Sequence, residues 1–144
     1  MNDIQEYMTR DHRECDAIFA SLEEAVSKAS WEDADLKMKE FLDSLNRHLE
    51  REERILFPAQ EAAAGTNQGP TQVMRYEHEQ MRGLLEQAQA ALQARDSQLF
   101  AGHAETLHIL MQQHNMKEEQ VLYPMTDRLL GGQAADLVAQ MSGI

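Results

Sequence analysis

Apolar residues recur at alternating steps of three and four along most of the chain. One stretch reads Met8, His12, Cys15, Phe19, Leu22 and Val26, and the next reads Phe41, Leu45, His48, Glu52 and Ile55. A third reads Met74, His78, Met81, Leu85, Ala88 and Leu92, and a fourth Leu107, Met111, His114, Glu118, Val121 and Met125. This spacing marks the buried face of bundle helices. It predicts one helix from about Asn2 to Ala29. A second, N-capped by Ser30 with Glu32 and Asp33 in its first turn, runs to near Ala64. Gly65-Thr66-Asn67-Gln68-Gly69-Pro70 reads as a loop. A third helix follows from about Thr71 to Arg95. A fourth, capped by Asp96 or Ser97, ends at Gly131-Gly132, and a short helix from Gln133 to Met141 trails it. Leu and Ala supply 34 residues against nine for Val and Ile, and no strand-like alternation appears. The expected fold is all-α, an up-down-up-down four-helix bundle forming a single domain over residues 1–144.

Four histidines and two glutamates lie in the stripe that should be core. Burying that many polar groups is costly unless each is paired or bound to a metal. Their placement is not random. A step of 66 residues carries His12 onto His78, His48 onto His114, Glu52 onto Glu118 and Pro58 onto Pro124. The segment His48-Leu49-Glu50-Arg51-Glu52-Glu53-Arg54-Ile55-Leu56-Phe57-Pro58 aligns with His114-Asn115-Met116-Lys117-Glu118-Glu119-Gln120-Val121-Leu122-Tyr123-Pro124. Met8 aligns with Met74 and Asp11 with Glu77. The chain therefore reads as two helical hairpins, residues 1–64 and 71–130, related by a pseudo-two-fold axis, an arrangement suited to a binuclear centre.

Chain distance to the turns sets the height of each histidine. His12 and His48 each lie 18 residues from Ser30, and His78 and His114 each lie 18 from Asp96. At ~1.5 Å rise per residue all four imidazoles fall in one layer, roughly 25 Å from the hairpin turns. The His-x-x-x-Glu spacing puts each carboxylate one turn along the same face, so Glu52 and Glu118 can reach the gap between two metal sites.

Charge and composition narrow the function. Lys and Arg number 13 against 25 Asp and Glu, a formal net charge of −12. That excludes a basic nucleic-acid face and disfavours docking on anionic lipid. No apolar run approaches a membrane span, and the N-terminal residues do not read as a secretory signal. A single cysteine, Cys15, allows no intrachain disulfide. A reducing, cytoplasmic setting is expected.

Imidazole and carboxylate without thiolate suit iron, manganese or zinc. Two carboxylates able to bridge, with two histidines for each metal, fit a di-iron centre. The ferritin-like alternative needs Glu-x-x-His on two helices, and only Glu105-x-x-His108 has that form. His12, His48-x-x-x-Glu52, His78 and His114-x-x-x-Glu118, with the paired Glu-Glu-x-x-Leu-aromatic-Pro tails, resemble the hemerythrin-like (HHE) domain from Met8 to about Leu130. The resemblance implies a four-helix bundle holding two Fe ions joined by an oxo or hydroxo bridge. His12 and His48 would bind one iron, His78 and His114 the other, and Glu52 and Glu118 would bridge them. It further implies a small ligand, O2, NO or peroxide, with oxidase, peroxidase or NO-reducing chemistry; an iron or oxygen sensor, an oxygen store or an iron-handling module is the alternative. Oxygen carriers of the family add a fifth histidine four residues from the third-helix ligand, whereas Met74 and Arg82 stand at those positions here. By the repeat, the two irons should be equivalent, and both should offer a position to a ligand.

The remaining polar residues carry weaker expectations. Glu53 and Glu119 read as solvated or as outer partners of the ligands. Asp11 and Glu77 read as surface residues or as acceptors for a ligand imidazole. Cys15 reads as a small core residue, and Tyr7, Tyr76 and Tyr123 read as packing residues that could alternatively hydrogen-bond near the site. Ala17 and Gly83, repeat partners, should let helices approach closely. His103 and His108 fall off the ligand layer.

Overall fold

The computed structural model describes residues 3–144, and the long elements among them are all helical. They are α1 (Ile4–Ser27), α2 (Trp31–Arg51), α3 (Phe57–Ala64), α4 (Pro70–Gln93), α5 (Ser97–Lys117), α6 (Tyr123–Leu130) and α7 (Ala134–Ser142). Single π-helical turns, Glu52–Leu56 and Glu118–Leu122, join α2 to α3 and α5 to α6 without a break. The result is four long rods, α1, α2–α3, α4 and α5–α6, with α7 laid across one end. The expected start at Asn2 lies outside the described residues. Asp3 is the N-cap, its carboxylate accepting the Glu6 N–H at 2.7 Å.

The two hairpin turns repeat each other's backbone hydrogen bonds. Ala29 and Arg95 are repeat partners, and both take the left-handed conformation, with φ of 52° and 55°. Beyond them the Ser30 N–H donates to the Ala25 carbonyl and the Asp96 N–H to the Ala91 carbonyl, each at 3.0 Å. These bonds satisfy carbonyls the helix ends would leave bare. Asp96 then caps α5 by accepting the Leu99 N–H at 3.0 Å, whereas Ser30 holds the same position without a side-chain cap bond.

The π turns correct the inward stripe. Ile55 and Val121 were expected to face the core; Ile55 is half-buried and packs against it, but Val121 is 51% exposed, while Leu56, Phe57, Leu122 and Tyr123 are buried. A π turn adds one residue to the helix, so everything after Glu52 and Glu118 is rotated by about 100° relative to a pure α-helix. Gly83 is also corrected. A Cβ added there would meet nothing within 4 Å, so its lack of a side chain is not needed for helix contact. It lines an open groove with Gln80, Leu84 and Ile109.

Two apolar clusters fill the bundle. One, toward the hairpin turns, holds Phe19, Phe41, Leu45, Leu85, Phe100 and Leu107. The other holds Ile4, Met8, Phe57, Met74, Leu137 and Met141, so α7 closes that end. Between them the sequence of every rod places one polar layer.

Candidate metal centre

Each rod contributes to this layer from a position that helix periodicity already turns inward. His12, on α1, and His78, on α4, are 3% and 0% exposed; His48, on α2, and His114, on α5, are 3% and 1%. Glu52 and Glu118 open the two π turns and are fully buried. The six predicted residues form two groups, His12, His48, Glu52 and Glu118, and Glu52, His78, His114 and Glu118, with the donor atoms of each within 4.8 Å of one another. Both groups contain both carboxylates.

The outer faces of the four rings are anchored. Nδ1 of His12 bonds Glu119 at 2.7 Å and Nδ1 of His78 bonds Glu53 at 2.6 Å. Nδ1 of His48 bonds Asp11 at 2.7 Å and Nδ1 of His114 bonds Glu77 at 2.9 Å. A carboxylate on Nδ1 assigns the ring proton to that nitrogen and leaves Nε2 to the interior. Asp11 and Glu77 are thus acceptors for imidazoles, as are Glu53 and Glu119. Arg51 and Lys117, themselves repeat partners, hold Asp11 and Glu77 in turn.

The inner faces are left over. His48 Nε2, His78 Nε2, His114 Nε2, Glu52 Oε1 and Glu118 Oε2 are buried and have no hydrogen-bond partner. His78 Nε2 lies 3.0 Å from Glu52 Oε1, yet the two do not align as a hydrogen bond, so both atoms face a common space rather than each other. Buried polar atoms are rarely left this way. Cations in that space, one for each four-residue group, would satisfy all of them, and imidazole with carboxylate is a donor set that metals of the iron, manganese and zinc type accept.

Charge within the layer has the same logic. Burial works against a charged His114, but the Glu118 carboxylate outweighs it and holds the imidazole at about 9. His12, His48 and His78 are raised likewise, against burial, by Glu118, Glu52 and the outer carboxylates. Burial and the charge of Glu118 push Glu52 up, while Glu118 itself, though buried, is held well below the usual carboxylate range by His114. Two carboxylates this close do not both ionise cheaply without positive charge between them. Protons supply that charge when metal does not.

The family model described as Hemerythrin HHE cation binding domain matches residues 3–126. The chain belongs to the hemerythrin family. No curated protein and no solved structure gives a significant match. The all-α bundle and the His/Glu groups agree with a hemerythrin-type, cation-binding domain, and among the described residues no helix is long and apolar enough to cross a membrane.

One residue of this hemerythrin-type layer was not singled out from the sequence. Packing was the default expectation for all three tyrosines and hydrogen bonding near the site the alternative; Tyr123 takes the alternative, its hydroxyl donating to Glu52 Oε2 at 2.7 Å and lying 3.0 Å from Glu118 Oε1 and 3.1 Å from His12 Nε2. The available signal was a mismatch in the repeat, because Phe57 is the partner of Tyr123 and has no hydroxyl. Tyr76 is 65% exposed, and Tyr7 lies under the Arg51 guanidinium, away from the layer. Cys15 is buried, and burial pushes its thiol up to about 12, so it is a core residue and not a reactive thiol. His108 stacks on Phe19, and neither it nor His103 joins the cluster.

Proposed function

We propose that the protein is a non-heme di-iron protein that binds and reacts with O2, NO or peroxide. His12 and His48 hold one iron, His78 and His114 the other, and Glu52 and Glu118 bridge the pair with an oxo or hydroxo group. The observation that carries this reading is the sharing of Glu52 and Glu118 by both four-residue groups, with five inward atoms lacking any other partner. Two such irons would supply electrons to a small ligand at an open coordination position.

The residues of the chain do the rest. The four outer carboxylates fix the ring orientation of each histidine and raise its basicity. The buried layer, closed by α7 at one end and by the aromatic core at the other, keeps bulk water from the ligand. No fifth histidine stands beside His78. Met74 lies buried in the apolar cluster, and Arg82 is occupied by Glu53, to which it donates at 2.9 and 3.0 Å. The structure thus offers no third imidazole to the His78 side, which favours irreversible reaction with O2 over storage. Stopped-flow mixing of the anaerobic, iron(II)-loaded protein with O2 tests this. Rapid conversion to the iron(III) form is expected. Oxygen uptake that persists for minutes and reverses when oxygen pressure is lowered would identify a carrier or store instead.

A further inference from the structure

The repeat leads to the expectation that the two metal positions are equivalent, and the residues around them contradict it. On the His12 side the layer contains the Tyr123 hydroxyl; on the His78 side the matching place is the Phe57 ring, whose centroid lies 5.5 Å from that of His78. Tyr123 is fully buried, so its hydroxyl has no solvent to turn to.

The spacing of the donors around Tyr123 is informative. His12 Nε2 to Glu118 Oε1 is 3.0 Å, Tyr123 Oη to Glu118 Oε1 is 3.0 Å, and Tyr123 Oη to His12 Nε2 is 3.1 Å. These atoms form a nearly equilateral triangle. With metal–ligand bonds of ~2.1 Å, neighbouring donors on an octahedron lie ~3.0 Å apart, and on a tetrahedron ~3.4 Å apart. The triangle therefore has the dimensions of one octahedral face. The hydrogen-bond inventory agrees. When the Nδ1 proton of His12 is engaged by Glu119 and the ring is neutral, as a ligand must be, Nε2 is a lone pair. The phenol then has one proton and three acceptors within reach: Glu52 Oε2, Glu118 Oε1 and His12 Nε2. A cation bound to all of these atoms removes the surplus of lone pairs.

We infer that Tyr123 is a seventh protein ligand, binding as phenolate to the metal held by His12 and His48. The inference rests on the binuclear reading above. On coordination the phenol proton leaves to solvent with those of the histidines. The metal of the His12 side is then filled by His12, His48, Glu52, Glu118, Tyr123 and the bridge. The open position belongs to the His78 side alone, so an added small ligand binds there, next to Phe57. The bridges are shared while the terminal ligands differ, so the two metals differ in charge density as well as in access.

The test is the visible and resonance Raman spectrum of the full chain loaded with iron(III), with metal content measured on the same sample. A phenolate-to-iron(III) charge-transfer band in the visible, enhancing tyrosine ring modes, is expected. Both should be lost in Tyr123→Phe, which is nearly isosteric, while the iron content stays the same. Phe57→Tyr should strengthen them by adding the mirror donor. Two irons per chain without phenolate modes would overturn Tyr123 as a ligand and leave the binuclear reading standing, as would modes that survive in Tyr123→Phe. One iron per chain with the phenolate signature would support Tyr123 and contradict the pair, and a protein that takes up no iron would overturn both.

Discussion

The half of the bundle containing His12 and His48 and the half containing His78 and His114 agree at every inner donor position and differ around them. Each histidine has its carboxylate, and each carboxylate on the α2 and α5 histidines has its cation. The first difference is at Glu53 and Glu119, which bond His78 and His12 in the same way. Glu53 is clamped by Arg82 and held at about 2, where burial alone would raise it. The position matching Arg82 is Asp16, which accepts from Gln112 instead, so no arginine reaches Glu119 from there. The second is Arg51, 12% exposed and tied by Nε to the Met141 carbonyl of α7 at 2.9 Å, against Lys117, 50% exposed. The third is Tyr123 against Phe57. The comparison separates what a binuclear cluster would require twice, the inner donors, from what can diverge once those donors are in place.

The largest expected effects come from the residues shared by both halves. Glu52→Ala or Glu118→Ala removes a carboxylate from each four-residue group and should abolish loading of both metals. His48→Ala and His114→Ala should each cost at least one metal, by mirror-image losses. Metal analysis of the purified variants checks this, and a Glu118→Ala protein that retains two irons would break the symmetric core of the account.

Removal of metal should come next. A cation that binds the assembled layer and not the unfolded chain stabilises the fold by about 4 kcal/mol at a thousand times its dissociation constant, so apo protein should melt well below holo. The two forms should also differ in pH response. In apo protein the imidazole pKa values are raised, His114 to about 9, so their stabilisation is complete below the unfolded value of ~6.5 and is lost as pH rises through about 9. Apo protein should therefore lose melting temperature over that range. Holo protein should not, because metal binding displaces those protons and is favoured as pH rises. Parallel thermal melts from pH 6 to 9 would show it; equal slopes for the two forms would contradict the coupling.

Outer partners should matter less and unequally. Loss of a carboxylate behind a ligating histidine typically costs ~10–100-fold in metal affinity, which sets the expectation for Asp11→Ala and Glu77→Ala. Arg51→Ala should weaken binding more than Lys117→Ala, because Arg51 is far less exposed than Lys117 and also anchors α7. Metal titration of the four variants orders them, and equal effects for Arg51 and Lys117 would erase that part of the asymmetry. The smallest effects are expected at His103→Ala and His108→Ala, which should leave metal content unchanged.

The inner layer was legible because it is periodic. His12, His48, His78 and His114 sit at equal counts from their turns, and a buried stripe that contains a His-x-x-x-Glu pair twice in one register has few explanations. The π turns were not legible, since an inserted residue leaves no mark on the composition of Glu52–Leu56 or Glu118–Leu122; only the burial of Phe57 and Tyr123 and the exposure of Val121 reveal it. Tyr123 could not be told from Tyr7 and Tyr76 for the same reason. On an uninterrupted α-helix, five residues past Glu118, it would point well away from the ligand face, and the π turn brings it back. Asp11 and Glu77 were undecided, because a carboxylate one turn from a core stripe looks the same whether it meets solvent or an imidazole from the next helix.

The central claim is that six buried residues hold a pair of metals, and the most direct test is the number of iron ions bound per folded chain. Protein reconstituted anaerobically with iron(II), freed of loose metal and assayed for iron and protein should contain two per chain. A well-folded preparation that saturates at one or none would contradict it.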